Sequence, residues 1–170
     1  RVMLVSEGRP EWMISDLSIL ASEAITVPNY TTYTKKDFEY ILKDCQPRAL
    51  IVSNEKLLKT ILSACREIDY NFKFIISFEE IREVEYFKKI SSNINKIIKC
   101  NINRKDPACI IYTSGTQGNP KGVILSHGGI LANCEDAKNL IQELNIGQPR
   151  FLTWLLLSHS YEHTVQFVQI

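Results

Sequence analysis

The chain has 170 residues, 45% of them hydrophobic and 23% charged, with 20 Lys+Arg against 19 Asp+Glu for a net charge of +1. This composition argues against a wholly disordered chain, a collagen-like repeat or a disulfide scaffold. So even a charge balance gives no broad electrostatic reason to bind nucleic acid or an anionic membrane. One domain is the simplest count, and a domain of this size buries roughly 70% of its unfolded-chain surface. The apolar run Leu155–Leu157, with Phe151 and Trp154 upstream, is far short of the ~20 residues a membrane span needs. No secretory signal precedes the first apolar run, and Arg rather than Met stands at position 1, so the native start is expected to be trimmed or upstream. The cysteines Cys45, Cys65, Cys100, Cys109 and Cys134 are scattered, with no Cys-x-x-Cys pair. They read as small apolar residues of a reducing compartment. A cytoplasmic protein is expected, with peripheral contact at the inner face of a membrane left open. The sequon Asn29-Tyr30-Thr31 stands alone and is set aside.

In chain order, two periods alternate. Val2–Val5 reads as a strand, and Pro10 opens a helix with Met13, Leu17, Leu20, Ala21 and Ala24 as its apolar face. Ile25–Val27 is a strand expected to stop at Pro28. Thr34 caps a helix striped by Phe38, Ile41, Leu42 and Cys45, with Asp37 in its first turn. Ala49–Val52 is the next strand. Asn54 begins a helix carrying Leu57, Leu58, Ile61, Leu62 and Cys65, and Phe74–Ile76 follows as a strand. This order predicts an α/β fold, alternating strands and helices on a mostly parallel sheet. Residues 88–106, rich in Ile, Asn, Lys and Ser, read as a frayed helix end and a connecting segment. Ala108–Tyr112 and Val123–Leu125 are strands. Ser126 caps a helix to about Leu140, striped by Ile130, Leu131, Cys134, Ala137 and Ile141. Phe151–Leu157 is expected as a last strand.

Five of the seven glycines fall between Gly115 and Gly129. The loop Thr113-Ser114-Gly115-Thr116-Gln117-Gly118-Asn119-Pro120-Lys121-Gly122 lies directly between two apolar strands. Glycines let backbone N–H groups turn toward an anion, hydroxyls add donors, and Lys121 adds a compact positive charge. Together they suit a triphosphate or pyrophosphate. Walker A does not fit, because Lys121 is flanked by Pro120 and Gly122, and no Gly-x-Gly-x-x-Gly occurs. Composition alone leaves a hairpin of turn-forming residues as the bland alternative.

The string IYTSGTQGNPKGVILSH, residues 111 to 127, closely resembles the signature of the adenylate-forming superfamily, with Gln117 where Thr is usual. RVMLVSEGRPEWMISDLSIL at the start, TVPNYTTYT at 26 to 34 and WLLLSHSYEHT at 154 to 164 resemble the long-chain fatty acyl-CoA synthetase branch. The resemblance implies an N-terminal portion of the large domain of such an enzyme, with the C-terminal domain absent. It also implies ATP and Mg²⁺, with fatty acid and coenzyme A as the other substrates. Thr113, Ser114, Gly115, Thr116, Gln117, Gly118, Lys121 and Gly122 would line the ATP phosphates. His159 would be the catalytic histidine beside the carboxylate, and Tyr161 would face the acyl pocket. Two positions depart from the branch, Glu23 for Gly and Leu156 for Pro. A left-handed Glu23 would cost on the order of 1 kcal/mol. These departures keep a non-catalytic nucleotide-binding remnant open as an alternative. A third reading is a zinc hydrolase, since His159, Glu162 and His163 fit His-x-x-Glu-His. Zinc would still need another protein ligand, which the sequence does not mark.

Overall fold

A computed structural model describes residues 1–91, 99–113, 120–145, 147 and 150–170. The strands are β1 (Val2–Val5), β2 (Thr26–Asn29), β3 (Ala49–Val52), β4 (Phe74–Ser77), β5 (Glu85–Tyr86), β6 (Pro107–Thr113) and β7 (Lys121–Ser126). The helices are α1 (Pro10–Ala21), α2 (Lys35–Cys45), α3 (Glu55–Glu67), α4 (Phe87–Ser91), α5 (His127–Glu143) and α6 (Ser160–Val168). The strands form one sheet in the order β5-β4-β3-β1-β2-β6-β7. Every pairing is parallel except β6 with β7.

Strand alternation sends side chains to two helix-covered faces. Met3, Val5, Leu50, Val52, Ile110 and Tyr112 point to the side where α2 and α3 pack with Phe38, Ile41, Leu58 and Ile61. Leu4 and Ile51 point the other way, onto Trp12 and Ile19 of α1. On that second side Cys109 and Ile111 meet Leu20 of α1 and Ile130 of α5, with Phe167 of α6 packed against them. Burial on both faces explains why these strands read as unbroken apolar runs.

The predicted caps form. Thr34 and Asp37 make a reciprocal capping box, Asn54 accepts from the Leu57 N–H at 2.9 Å, and Ser126 from the Gly129 N–H at 3.1 Å. Glu23 sits at φ 58°, closing α1. Its N–H donates to the Leu20 carbonyl, and the Ala24 N–H to the Ile19 carbonyl, the paired bonds of a Schellman ending. The Asn101 N–H donates to its carboxylate at 2.7 Å, a bond that glycine would not offer.

Three expectations need correction. β2 runs through Pro28 to Asn29. The Val2 N–H donates to the Ile25 carbonyl, so Ile25, Val27 and Asn29 address β1 while Thr26 and Pro28 address β6. The β6 ladder touches β2 only at Thr26, so the N–H that Pro28 lacks is not missed. Next, the buried face of α1 is Trp12, Ser15, Asp16, Ile19 and Leu20, while Leu17 and Ala21 are exposed. Two polar residues on that face hid its register. Last, Phe151–Leu157 forms no strand: among the described residues no neighbour pairs with it. The two-residue edge strand β5 was not foreseen. Residues 92–98 of the expected connecting segment lie outside the described residues.

The start of α5 presses on the turn before β6. The Gly128 N–H donates to the Arg104 carbonyl at 2.7 Å, and a Cβ on Gly128 would stand 2.7 Å from that same oxygen. Backbone cannot swing aside as a side chain can. Gly128→Ala is expected to cost about 1–3 kcal/mol, read as a lowered urea midpoint with an unchanged m-value.

Candidate functional site

β6 lies parallel to β2, so its end at Thr113 falls at the same end of the sheet as Val5, Asn29, Val52 and Ser77. Carboxyl ends of parallel strands are where α/β sheets place ligands. β7 returns antiparallel, with Thr113 opposite Lys121 and Tyr112 opposite Gly122. Thr113 and Lys121 thus stand side by side at the base of the glycine-rich loop, both exposed. Ser114, Gly115, Thr116, Gln117 and Gly118 lie outside the described residues.

Gly122 has a packing reason to be glycine. A Cβ there would stand 3.0 Å from Ile110 Cγ2 and 3.2 Å from Tyr112 Cζ. The Tyr112 ring fills that space, and its hydroxyl donates to the Asp44 carboxylate of α2. The Tyr33 hydroxyl donates to the Tyr112 carbonyl at 3.4 Å. The strand leading into the loop is therefore anchored from the α2 side. Burial pushes the Tyr112 phenol well above its usual range and the Tyr33 phenol up to about 12.

On the opposite face, His159 is the N-cap of α6, and its Nδ1 accepts from the Tyr161 N–H at 3.2 Å. In the neutral ring this puts the proton on Nε2, which is left as a donor. Tyr161 is 59% exposed and borders a cleft of about 330 Å³ with Leu140, Ile141, Trp154 and Val165. A cleft of about 900 Å³ lies at the far sheet edge, lined by Phe74, Glu85 and their neighbours, and holds none of the motif residues.

The zinc pattern does not assemble. His163 Nε2 is 2.7 Å from Asp16 Oδ2, both side chains buried. Glu162, also buried, accepts from Gln166 Nε2 at 2.9 Å and from the Leu155 N–H at 3.4 Å. The three groups serve separate partners, and among the described residues no three His, Cys, Asp or Glu side chains gather as ligands. The hydrolase reading is corrected on that geometry. Sequence reasoning missed Asp16, Trp12 and Asp44. Their one available signal was a helix register, and for Asp16 the polar side chain itself obscured it.

With this arrangement in view, residues 1–169 match the AMP-binding enzyme family, and the chain belongs to it. A long-chain-fatty-acid–CoA ligase of Bos taurus is 27% identical over 172 residues, covering 93% of this chain and 24% of that protein. A Xenopus laevis ligase of the same description is 30% identical over 166 residues, covering 88% and 22%. The chain thus spans about a quarter of the length of these relatives. Among solved structures, an anthranilate CoA ligase in complex with anthranoyl-AMP is 29% identical, with a TM-score of 0.69 over 79% of this chain and 25% of that one. The luciferase-like enzyme of Zophobas morio shares the fold at TM-score 0.84 and 17% identity, covering 99% and 39%. Among the described residues no helix is long and apolar enough to cross a membrane.

The buried phenols and thiols give the fold an alkaline limit. Burial raises Tyr33 from 10.0 to about 12, Cys109 from 9.0 to about 12 and Cys65 from 9.0 to about 11. Raised folded values mean stability that is complete below the unfolded values and lost as pH climbs through the folded ones. Urea midpoints are expected to fall from about pH 9 toward pH 12. Tyr33→Phe should shallow that decline above pH 10, a comparison made by repeating the titration on the variant.

Proposed function

We propose that this chain is the phosphate-holding and acyl-side portion of an ATP-dependent, AMP-forming long-chain fatty acid–CoA ligase, its C-terminal domain lying outside these residues. The observation that carries the reading is the family match together with the β6–β7 hairpin, which sets Thr113 beside Lys121 under the glycine-rich loop. The long-chain relatives support the substrate class.

In this reading a fatty carboxylate oxygen attacks the α-phosphorus of ATP. An O–P bond forms, the bond to the β-phosphate oxygen breaks, and pyrophosphate leaves. Negative charge grows on the departing phosphates, where the Lys121 ammonium offsets it and the Thr113 hydroxyl donates. Ser114, Gly115, Thr116, Gln117, Gly118 and Gly122 belong to the same phosphate loop. Gly122 also makes room for Tyr112. The Nε2–H of His159 orients the fatty carboxylate, and Tyr161 with its apolar cleft receives the chain. The coenzyme A thiol then attacks the acyl carbonyl and AMP leaves. The described residues gather no ligand set for Mg²⁺, so no step is assigned to it. The ion belongs to the proposal as the companion of ATP. Cytoplasmic residence, with peripheral contact at a membrane, belongs to it also.

The test is palmitate-dependent ATP–pyrophosphate exchange, on the 170 residues alone and within any longer native product. The 170 residues alone are expected to show no exchange. The longer product should exchange, and Lys121→Ala should reduce its rate about 100-fold. Exchange untouched by Lys121→Ala removes the loop from the phosphate site. ATP binding that needs Lys121, with no exchange from the longer product, establishes the non-catalytic remnant instead.

A further inference from the structure

Asp16 is 0% exposed, and its recorded side-chain bond is to His163. Among the described residues its Oδ1 has no hydrogen-bond partner, nor do the neighbouring Ser15 Oγ and Trp12 Nε1. The imidazole is held between the edge-on Trp12 ring, 5.3 Å away, and the Phe167 ring at 5.1 Å. Burying a carboxylate with one bond made is a poor way to stabilise a helix contact. An apolar pair of similar volume usually does as well or better. What the polar pair adds is direction.

That direction is transmitted along α6. His163 lies one helical turn beyond His159, and its N–H donates to the His159 carbonyl at 2.9 Å. Turning α6 about its axis would therefore swing both histidines together. Asp16 also neighbours β6: its charge adds to the burial that raises the Cys109 thiol. Cys109 lies four residues before Thr113, on the strand that enters the phosphate loop.

We propose that Asp16 is a positioning residue: through His163 it fixes the rotation of α6, and so aims His159 relative to the β6 strand that carries the phosphate loop. What His159 is aimed at rests on the adenylation reading, whereas the aiming itself does not. The apolar packing of Trp12 and Phe167 holds α6 in place, and the Asp16–His163 bond selects one rotation within that packing.

The test uses the double variant Asp16→Leu/His163→Phe, which replaces the polar pair by apolar side chains. Its thermal midpoint is expected at or above the parent's. With ¹⁵N-labelled histidine the chain carries only three imidazoles, so His163 is resolvable. Backbone N–H residual dipolar couplings of the same protein labelled throughout with ¹⁵N report the orientation of α6 against the sheet. In the folded double variant the α6 couplings should depart from the parent orientation while those of β1 and β3 still fit it. A folded double variant whose α6 couplings fit the parent orientation overturns the proposal.

Should the double variant not fold, Asp16→Asn decides. It keeps the volume and a polar partner for His163, so His163 nitrogen shifts and α6 couplings that both stay at the parent values, or both move, support positioning by that bond. His163 shifts that move while the α6 couplings stay overturn it. In a longer active product, the double variant should lower kcat/KM for fatty acid roughly 10- to 100-fold with the KM for ATP unchanged. A fall in both alike would mark general damage rather than aim. Lys121→Ala separates the two claims: exchange insensitive to it sinks the adenylation reading, while the α6 couplings still judge the pair.

Discussion

A parallel ladder fixes the direction in which each strand hands its chain to the next loop, and much of this molecule follows from that. β1, β2, β3, β4 and β6 all end at one side of the sheet. β6 pairs with β2 at Thr26, enough to bring Thr113 to that side. β7 then runs back antiparallel, so Thr113 and Lys121 stand side by side as the base of the glycine-rich segment. A phosphate-binding loop needs such a base, because its backbone donors help an anion only if they are held in place before the anion arrives. Tyr112 contributes to that base from one face, wedged against Gly122 and tied to Asp44.

The second face is organised differently. There the packing of α1, α5 and α6 against β6 includes a carboxylate and an imidazole where apolar side chains would have been easier to bury. Asp16 and His163 pair there, with the Trp12 ring edge-on to the imidazole, and His159 is the N-cap of α6. Lys121 thus stands on a hairpin strand and His159 at a helix start. Polar contacts flank β6 on both faces: the Tyr112 hydroxyl on the Asp44 carboxylate on one, and the buried Asp16–His163 pair near Cys109 on the other. β6 is the shared member, and its alternation sends Tyr112 to one brace and Cys109 toward the other.

How much of this could be read in advance depended on the kind of force involved. The caps at Thr34, Asn54 and Ser126 were legible because each is a local bond between a side chain and the backbone three residues on. The apolar strands were legible because burial on both faces leaves little polar residue to confuse them. The family was legible in the glycine-rich motif, since its residues are consecutive in the sequence. The face of α1 was misread because it is set by a partner 147 positions away: Asp16 is inside only because His163 is there to meet it. The same long-range dependence explains Pro28, whose missing N–H is harmless only because β6 does not ladder there. Phe151–Leu157 failed for the converse reason, as apolar alternation makes a strand only where a neighbouring strand offers bonds.

That last failure bears on how the parts fit. Phe151–Leu157 is held to α6 by the Leu155 N–H on buried Glu162, and Leu157 reaches back to the α1 cluster. Between those two anchors Leu152 and Trp154 are 79% and 70% exposed, and across the molecule Ile124 of β7 is 65% exposed. Well-covered folds seldom leave large apolar side chains this exposed. Leu152 and Trp154 line the cleft that Tyr161 borders, so that segment and the cleft are parts of one surface, and Ile124 is not among its lining. The chain spans about a quarter of the length of the relatives it matches. The base of the β6–β7 hairpin is held by contacts within these residues, Tyr112–Asp44 among them. The acyl side leaves its apolar wall open, so the two halves of the proposed reaction differ in how far this segment completes them.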